Sequence, residues 1–247
     1  MYRGQIGEMI TYPGHNGDAI DAYLARPSGN GPFGAVVFLH HAPAWDEVSI
    51  EMVRKLAHHG YVTISPHLYT REGAGATNPE DAAAAGRAKG GTPDEQFLGD
   101  ADGALAFLRS QPYCNGRVAI MGGCSGGRQA YLAAGRLTVD AAIDCWGGSV
   151  VVPPEQLNAA HPVAPIDYTA DISCPVLGIF GADDYNPTLR QVALTEEALK
   201  AHGKEYEFHV FEDAGHSFMT TDELNFRINQ TVAAWRLIFD FLERTVA

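Results

Sequence analysis

The segment Val118-Ala-Ile-Met-Gly-Gly-Cys-Ser-Gly-Gly-Arg128 decides the fold. Its first four residues, Val118–Met121, form a short apolar run that is typical of a strand buried on both faces. A glycine-rich turn follows, and the residues from there through Gly135 have the composition of a helix. A buried strand that passes through a tight turn into a helix is the setting that holds a nucleophilic side chain on strained backbone. The residues two positions away on either side must then be small.

Two registers of this turn satisfy the requirement for small neighbours: Gly122-x-Cys124-x-Gly126, with a thiol, and Gly123-x-Ser125-x-Gly127, with a hydroxyl. The thiol register is favoured because its first glycine directly follows the apolar strand. It is also favoured because a helix N-terminus stabilises a thiolate, which is the attacking species. A phosphate-binding loop would use similar glycines, but the Lys-Ser/Thr pair of nucleotide loops is missing here.

Strands and helices alternate along the rest of the chain. Further apolar runs predict strands at Ala35–His40, Tyr61–Ser65, Ala141–Trp146, Val176–Phe180 and Tyr206–Phe211. Helices are predicted over Glu47–His59, Asp94–Arg109, Thr188–His202 and Phe226–Val246, the last with Ile228, Val232, Trp235, Phe239 and Leu242 along one side. Nearly continuous hydrophobic strands separated by helices predict an α/β fold, with a mostly parallel central sheet and helices on both faces.

Two segments depart from this pattern. Polar and apolar residues alternate in Ile6–Tyr12 and Ile20–Ala25, which predicts an antiparallel N-terminal hairpin at the edge of the sheet. Residues 72–92 are rich in alanine and glycine and contain Pro79, so they are interpreted as a partly helical excursion or a mobile cap. No internal repeat and no linker is visible, and we therefore expect a single domain spanning residues 1–247.

The composition narrows the class of protein. Of the 247 residues, 46% are hydrophobic, which is ample for a core, and the formal charge of −13 repels nucleic acids and anionic membranes. No apolar stretch is long enough to span a bilayer, and Arg3 is followed by polar residues and glycine where a secretory signal needs an apolar region. Four cysteines are too few for a disulfide scaffold. We expect a cytoplasmic protein that acts on a small molecule, either as a monomer or as a homodimer.

A thiol or hydroxyl nucleophile needs a base, and the base needs a group that orients it. The predicted strand Val176–Phe180 runs into Asp183 and Asp184, and the strand Tyr206–Phe211 runs into a loop that contains His216. Turn chemistry alone explains an Asp pair, and the chain has nine other histidines. The three residue types nevertheless follow three strands in the order nucleophile, carboxylate, histidine that one hydrolase fold requires. The residues alone leave Asp183 and Asp184 as alternatives.

The oxyanion formed by attack on a carbonyl needs two backbone donors. One is the residue after the nucleophile, here Ser125, and the other lies on the loop after an earlier strand. On the loop after Ala35–His40, Pro43 has no N–H, which leaves Ala42 as the best candidate. The histidines of the chain lack the ligand spacing of a metal site, so no metal and no cofactor is expected.

In these features the chain resembles the dienelactone hydrolase (carboxymethylenebutenolidase) family of the α/β-hydrolases, from about Ile20 to Phe241. The motifs that carry the likeness are Met121-Gly-Gly-Cys-Ser-Gly-Gly127, Pro66-His-Leu-Tyr-Thr-Arg71, Phe180-Gly-Ala-Asp-Asp184 and Ala214-Gly-His-Ser-Phe218. The resemblance implies an α/β-hydrolase fold and hydrolysis of a small ester or lactone. It also implies that Cys124 is the nucleophile, His216 the base and Asp184 the orienting acid.

The same resemblance implies a substrate pocket. Arg71 matches an arginine that binds the carboxylate of the lactone, and Trp146 falls where the family has pocket aromatics. Two positions differ from the archetype of the family: His41 stands in place of a glutamate on the first oxyanion loop, and Thr220 stands in place of a second anion-binding arginine. We therefore place His41 at the substrate pocket and expect a small, dienelactone-like ester or lactone that bears a carboxylate, which Arg71 would bind. A non-hydrolytic ligand-binding protein and a redox-sensing thiol at Cys124 remain the alternatives.

Overall fold

The computed structural model describes residues 4–42, 45–74, 78–221 and 224–247. The chain divides into two compact units. The first comprises residues 1–118, 158–161 and 246–247, and the second comprises residues 119–157 and 162–245. Each unit is built of strands with helices between them, as the alternating sequence pattern predicts. The single domain expected from the sequence stays a prediction.

The first unit contains the antiparallel part of the fold. Strands β1 (Gln5–Pro13) and β2 (Ala19–Pro27) pair along their whole length, which confirms the predicted hairpin. A short 3-10 turn at His15–Gly17 connects them. Strand β2 then pairs antiparallel with β4 (Val62–Pro66), and β4 pairs parallel with β3 (Phe33–Leu39). All five residues of β4 are buried, whereas most of β1 is exposed, as expected of a strand at the sheet edge.

Three helices complete the first unit. Helix α1 (Glu47–His58) is capped by the side chain of Asp46, and α3 (Asp94–Ser110) buries the apolar stripe that its periodicity predicts. Between them, helix α2 (Pro79–Ala88) occupies the middle of the segment 72–92. The side chain of Asn78 accepts from the N–H of Asp81, which caps α2, and the proline follows at its first position. Residues 79–88 of this segment are thus helical, and its interpretation as an excursion or a cap stays a prediction.

The second unit contains four parallel strands: β5 (Cys114–Gly123, whose first residues belong to the first unit), β6 (Ala141–Cys145), β7 (Val176–Gly181) and β8 (Tyr206–Phe211). They pair in that order, with Gly123 opposite Cys145 and Gly181 opposite Phe211. The carboxyl ends of β5, β6, β7 and β8 therefore lie side by side. In parallel sheets this edge is where ligands bind, so the loops after these strands are the place to look for chemistry.

Helices α4 (Ser125–Arg136), α5 (Leu189–Ala201) and α6 (Ile228–Thr245) cover these strands, with 3-10 turns at Pro154–Gln156 and Pro165–Asp171. The predicted buried side of the last helix is wrong in part. Ile228 is 67% exposed and Val232 is 48% exposed. The residues that are buried instead are Thr231, Ala234, Trp235, Ile238, Phe241 and Leu242. Because α6 carries apolar residues on two adjacent stripes that share Trp235 and Leu242, residue type alone could not choose between them.

Candidate active site

The turn between β5 and α4 places Cys124 at its apex. The backbone of Cys124 has φ 57° and ψ −121°, a region that non-glycine residues rarely occupy. Ser125 is already the first residue of α4 and has helical backbone. The N–H of Cys124 donates to the carbonyl of Cys145 at 3.1 Å, which ties the turn to the neighbouring strand β6. The strained position is therefore that of the cysteine and not that of the serine.

The glycines around the apex are required by close backbone contacts. A Cβ on Gly122 would lie 2.5 Å from backbone atoms of Gly126, so the two residues that flank Cys124 at a distance of two touch each other. The other two glycines face the end of β6: a Cβ on Gly127 would lie 2.5 Å from a carboxylate oxygen of Asp144, and one on Gly123 would lie 2.9 Å from the Trp146 ring. Gly122 and Gly126 contact each other, whereas Gly123 and Gly127 contact residues at the end of β6. Both registers therefore contain glycine, each for a different contact.

His216 and Asp184 meet above the ends of β7 and β8. The ring Nδ1 of His216 lies 2.9 Å from Oδ2 and 3.1 Å from Oδ1 of Asp184. The Asp184 carboxylate is fully buried, and its Oδ1 also accepts the N–H of Asn186 at 2.8 Å. Asp183, the alternative that the residues left open, is exposed, and its N–H donates to the carbonyl of Ala214. The carboxylate that contacts the histidine is therefore that of Asp184.

The imidazole of His216 is also hydrogen-bonded to the thiol group of Cys124. Burial lowers the pKa of His216, but the hydrogen bonds and negative charges of Asp184 and Cys124 outweigh burial and raise it from 6.5 to about 10. The ring is thus held between two acidic groups that favour its protonated form. The second unit alone brings together the three residues that the sequence placed on three separate loops.

Trp146 is buried beside this row of side chains. It follows β6 with φ 40°, donates its backbone N–H to Ile179 at 2.7 Å, and packs its ring against Phe218 at a centroid distance of 5.4 Å. The ring covers Gly123 directly below the turn. With 4% of its surface exposed, Trp146 shapes the floor under the Cys124 turn, and its predicted contact with substrate stays a prediction.

In the first unit, the loop after β3 carries two further predicted site residues, His41 and Ala42. Nε2 of His41 lies 2.6 Å from Oδ2 of Asp46, the residue that caps α1, so the ring is held by the start of that helix. The carbonyl of Ala42 accepts hydrogen bonds from the Tyr69 hydroxyl at 3.0 Å and from the Arg87 guanidinium at 3.3 Å. Side chains from the loop after β4 and from α2 therefore hold the Ala42 backbone. Pro43 and Ala44 lie outside the described residues.

Arg71, the predicted carboxylate-binding residue, is engaged inside the first unit. Its two terminal nitrogens lie 2.8 and 2.9 Å from the two oxygens of Asp100, and its Nε lies 2.6 Å from the carboxylate of Asp18. The Asp100 side chain is fully buried, so Arg71 is its countercharge. A substrate carboxylate would have to compete with two protein carboxylates for this guanidinium.

We expect the substitution R71M to destabilise the protein by about 3–5 kcal/mol, because it leaves the buried Asp100 carboxylate without a countercharge. In thermal unfolding this corresponds to a fall in Tm of about 10 °C. The matched control is R54M, since the Arg54–Glu47 pair is exposed on both sides and contributes less than about 1 kcal/mol. A Tm for R71M equal to that of R54M, with a raised KM for a carboxylate-bearing ester, would instead favour a binding role.

Three buried polar residues near these loops were not identified from the sequence. Asp144, in β6, accepts the N–H of Gly147 at 2.7 Å, and its burial raises its pKa to about 7. Asp100 lies on the buried side of α3, and His40 lies at the end of β3 with 1% exposure. A signal was present for the two acids: each is a charged residue within an otherwise apolar stripe or strand.

Among the residues that the structure describes, no group of three or more His, Cys, Asp and Glu side chains is arranged to hold a metal ion. The same described ranges contain no helix that is both long and apolar enough to cross a membrane. The four cysteines are all free thiols.

The chain is similar to proteins named as dienelactone hydrolases or carboxymethylenebutenolidases. The model of the dienelactone hydrolase family matches residues 20–246. A protein of Salmonella typhimurium (strain LT2), provisionally named a carboxymethylenebutenolidase, is 33% identical over 220 residues, which are 87% of this chain and 79% of the relative. The carboxymethylenebutenolidase of Pseudomonas putida is 27% identical over 241 residues, 96% of each chain. The crystal structure of a provisionally named dienelactone hydrolase from Klebsiella pneumoniae, 26% identical, superposes with a TM-score of 0.86 over 96% of this chain and 98% of that one.

Proposed function

The chain belongs to the dienelactone hydrolase family and has its α/β-hydrolase fold, and we propose that it hydrolyses a small ester or lactone with Cys124 as nucleophile. His216 serves as acid and base, and Asp184 holds the His216 ring. The observation that carries the proposal is the row of contacts Asp184–His216–Cys124, with the cysteine on strained backbone at the start of a helix. This row supplies the nucleophile, the proton carrier and the orienting group that acyl transfer needs.

The contacts of His216 indicate where its proton lies before the reaction. The carboxylate of Asp184 accepts from Nδ1, which directs Nε2 towards the sulfur. Because the pKa of His216 is raised to about 10, its ring accepts the proton of the Cys124 thiol, and this transfer gives a thiolate beside an imidazolium. The thiolate attacks the carbonyl carbon and forms a C–S bond, and the carbonyl π electrons move onto oxygen to give a tetrahedral oxyanion.

Following the family pattern, the backbone N–H groups of Ser125 and Ala42 are the donors to that oxyanion. When the oxyanion collapses, the C–O bond to the alcohol portion breaks, and His216 gives its proton to the departing alkoxide. The product is a thioester on Cys124. A water molecule, deprotonated by the now neutral His216, then attacks the thioester and releases the carboxylic acid and the thiolate, and the proton it gave up restores the imidazolium.

The ion pairs of Arg71 also indicate which class of substrate the protein accepts. Since Arg71 is already paired with Asp100 and Asp18, the proposal does not require a carboxylate on the substrate. A small ester or lactone whose acyl part is apolar or neutral is the substrate class that fits best. The free thiols accord with action in a reducing compartment such as the cytoplasm.

The proposal is tested by alkylation with iodoacetamide over a range of pH. We expect iodoacetamide to alkylate the partly exposed Cys124, and we expect p-nitrophenyl acetate hydrolysis to be lost in proportion, because the same sulfur forms the acyl-enzyme. Cys145 and Cys174 are buried, and burial raises their pKa values, that of Cys174 to about 12, so they react slowly. The substitution C114A removes the remaining partly exposed thiol and serves as the background. Alkylated protein that retains full esterase activity would contradict the proposal.

The protonation of His216 also predicts the pH above which activity falls. The raised pKa of His216 means that the proton needed by the leaving group is present below pH 10 and is lost as the pH rises through it. For an alkyl ester, whose alkoxide needs protonation, kcat/KM is expected to fall above about pH 10. For p-nitrophenyl acetate the fall is smaller, because p-nitrophenolate leaves without a proton.

A further inference from the structure

His40 is a buried residue of the first unit whose ring is bonded at both nitrogens. Nε2 lies 3.1 Å from the backbone nitrogen of Leu68, and Nδ1 lies 2.8 Å from the carbonyl oxygen of His41. A backbone N–H can only donate, so Nε2 of His40 is the acceptor and carries no proton. A neutral imidazole has one N–H, which therefore lies on Nδ1 and donates to the carbonyl of His41.

This protonation state is maintained across the working range of pH. His40 is 1% exposed, and burial lowers its pKa to about 3 in spite of the bond to the His41 carbonyl. The ring also packs against Tyr69 at a centroid distance of 5.1 Å, which limits its rotation. His40 is thus a fixed, neutral donor.

The carbonyl that His40 holds is part of the peptide group that ends in the N–H of Ala42. A trans peptide is planar, and its C=O and N–H point in opposite directions. Fixing the direction of the His41 carbonyl therefore fixes the direction of the Ala42 N–H. The next peptide is held as well, because the Ala42 carbonyl accepts from Tyr69 and Arg87.

We propose that His40 is a positioning residue that aims the N–H of Ala42 for stabilisation of the oxyanion. The inference rests on the proposed function, in which Ala42 provides one of the two oxyanion donors. A donor of this kind is effective only when its direction is set before the oxyanion forms. The Nδ1–H of His40 sets this direction through its bond to the carbonyl of the same peptide.

The two hydrogen bonds of His40 have different roles, and substitutions that remove one bond and keep the other distinguish positioning from structural support. The Nε2 bond to Leu68 joins the loops after β3 and β4, whereas the Nδ1 bond to His41 directs the peptide. An asparagine amide reaches the place of Nδ1 and a glutamine oxygen reaches the place of Nε2. The substitution H40N keeps a donor to the His41 carbonyl, H40Q keeps an acceptor for the Leu68 N–H, and H40F keeps neither.

In p-nitrophenyl acetate hydrolysis, we expect H40Q and H40F to lower kcat by about 10- to 100-fold with little change in KM, and H40N to recover most of that loss. Affinity for an alkyl trifluoromethyl ketone, which forms a tetrahedral oxyanion on the cysteine, is expected to fall in the same order. Alkylation of Cys124 by iodoacetamide involves no oxyanion and is expected to proceed at the wild-type rate in all three variants. L56A, which opens a cavity in the core of the first unit, controls for lost stability.

The inference is overturned if kcat follows Tm across H40N, H40Q, H40F and L56A, or if H40N loses as much as H40Q. Should H40F fail to fold, the H40N and H40Q pair decides the outcome by itself. A wild-type protein that neither hydrolyses p-nitrophenyl acetate nor forms an acyl adduct on Cys124 contradicts the proposed function. Wild-type hydrolysis together with an unimpaired H40Q contradicts only the role of His40.

Discussion

Replacing Cys124 with alanine is expected to lower kcat for ester hydrolysis by about 10⁴-fold or more, since it removes the atom that forms the acyl-enzyme. The backbone effect of the substitution is small, because alanine can take the same strained position at modest cost. The measurement is steady-state hydrolysis of p-nitrophenyl acetate, together with intact-mass detection of the acetylated protein. We expect the adduct of one acetyl group in the wild type and none in C124A.

The matched control is S125A. Ser125 contributes only its backbone N–H to the proposed mechanism, and that N–H remains in alanine, so hydrolysis is expected to stay within about tenfold of the wild type. The opposite pattern, with full activity in C124A and none in S125A, would show that the hydroxyl is the nucleophile. It would also require Ser125 to leave the first turn of α4, where its backbone is helical.

The substitution D184N is expected to lower kcat by about 10³- to 10⁴-fold with little effect on folding. The carboxylate of Asp184 is fully buried and accepts the Nδ1 proton of His216, and an amide of the same size offers its NH₂ group to that position. The ring then carries its proton on the wrong nitrogen or turns away from the sulfur. The control is D183N, since Asp183 is exposed and is expected to retain nearly full activity.

The pH profile separates this effect from simple misfolding. Without the Asp184 charge, the pKa of His216 is expected to fall below its value of about 10, so the alkaline limit of kcat/KM for an alkyl ester moves to lower pH. An alkaline limit that stays in place in D184N, with activity lost in proportion to Tm, would mean that Asp184 acts only through stability. Equal losses in D183N and D184N would contradict the assignment of the acid.

The strands of the second unit and the proximity of Cys124, Asp184 and His216 were predictable because they depend on local pattern. The apolar runs before Cys124, Asp184 and His216 are short, and glycine or proline bounds the first two of them. The observed strands coincide with these runs within a few residues. Parallel pairing then brings the ends of those strands to one edge without further information. The order of residues along the chain thus predicted which side chains lie near each other.

What could not be predicted depends on contacts between distant residues. The buried partner of Arg71 is Asp100, a residue 29 positions away, and nothing in either local pattern indicates the pair. The helix α2 is a different case, because its cap was readable: Asn78 precedes a proline and two acids, a typical helix start that the alanine-rich composition obscured. The proposed role of His40 could not be predicted from the sequence, because it depends on the positions of two backbone groups, the His41 carbonyl and the Leu68 N–H, on two loops.

The contact between Gly122 and Gly126 has an evolutionary consequence. It requires glycine at the positions beside the apex, because a side chain there would collide with backbone, and it does not decide whether the side chain at the apex ends in sulfur or oxygen. Descendants of this chain can exchange sulfur for oxygen at position 124 through a single codon change and still make the same bend. A methyl group added at Gly122 would force the bend apart whatever the nucleophile, so lineages that diverge in chemistry are expected to keep that residue.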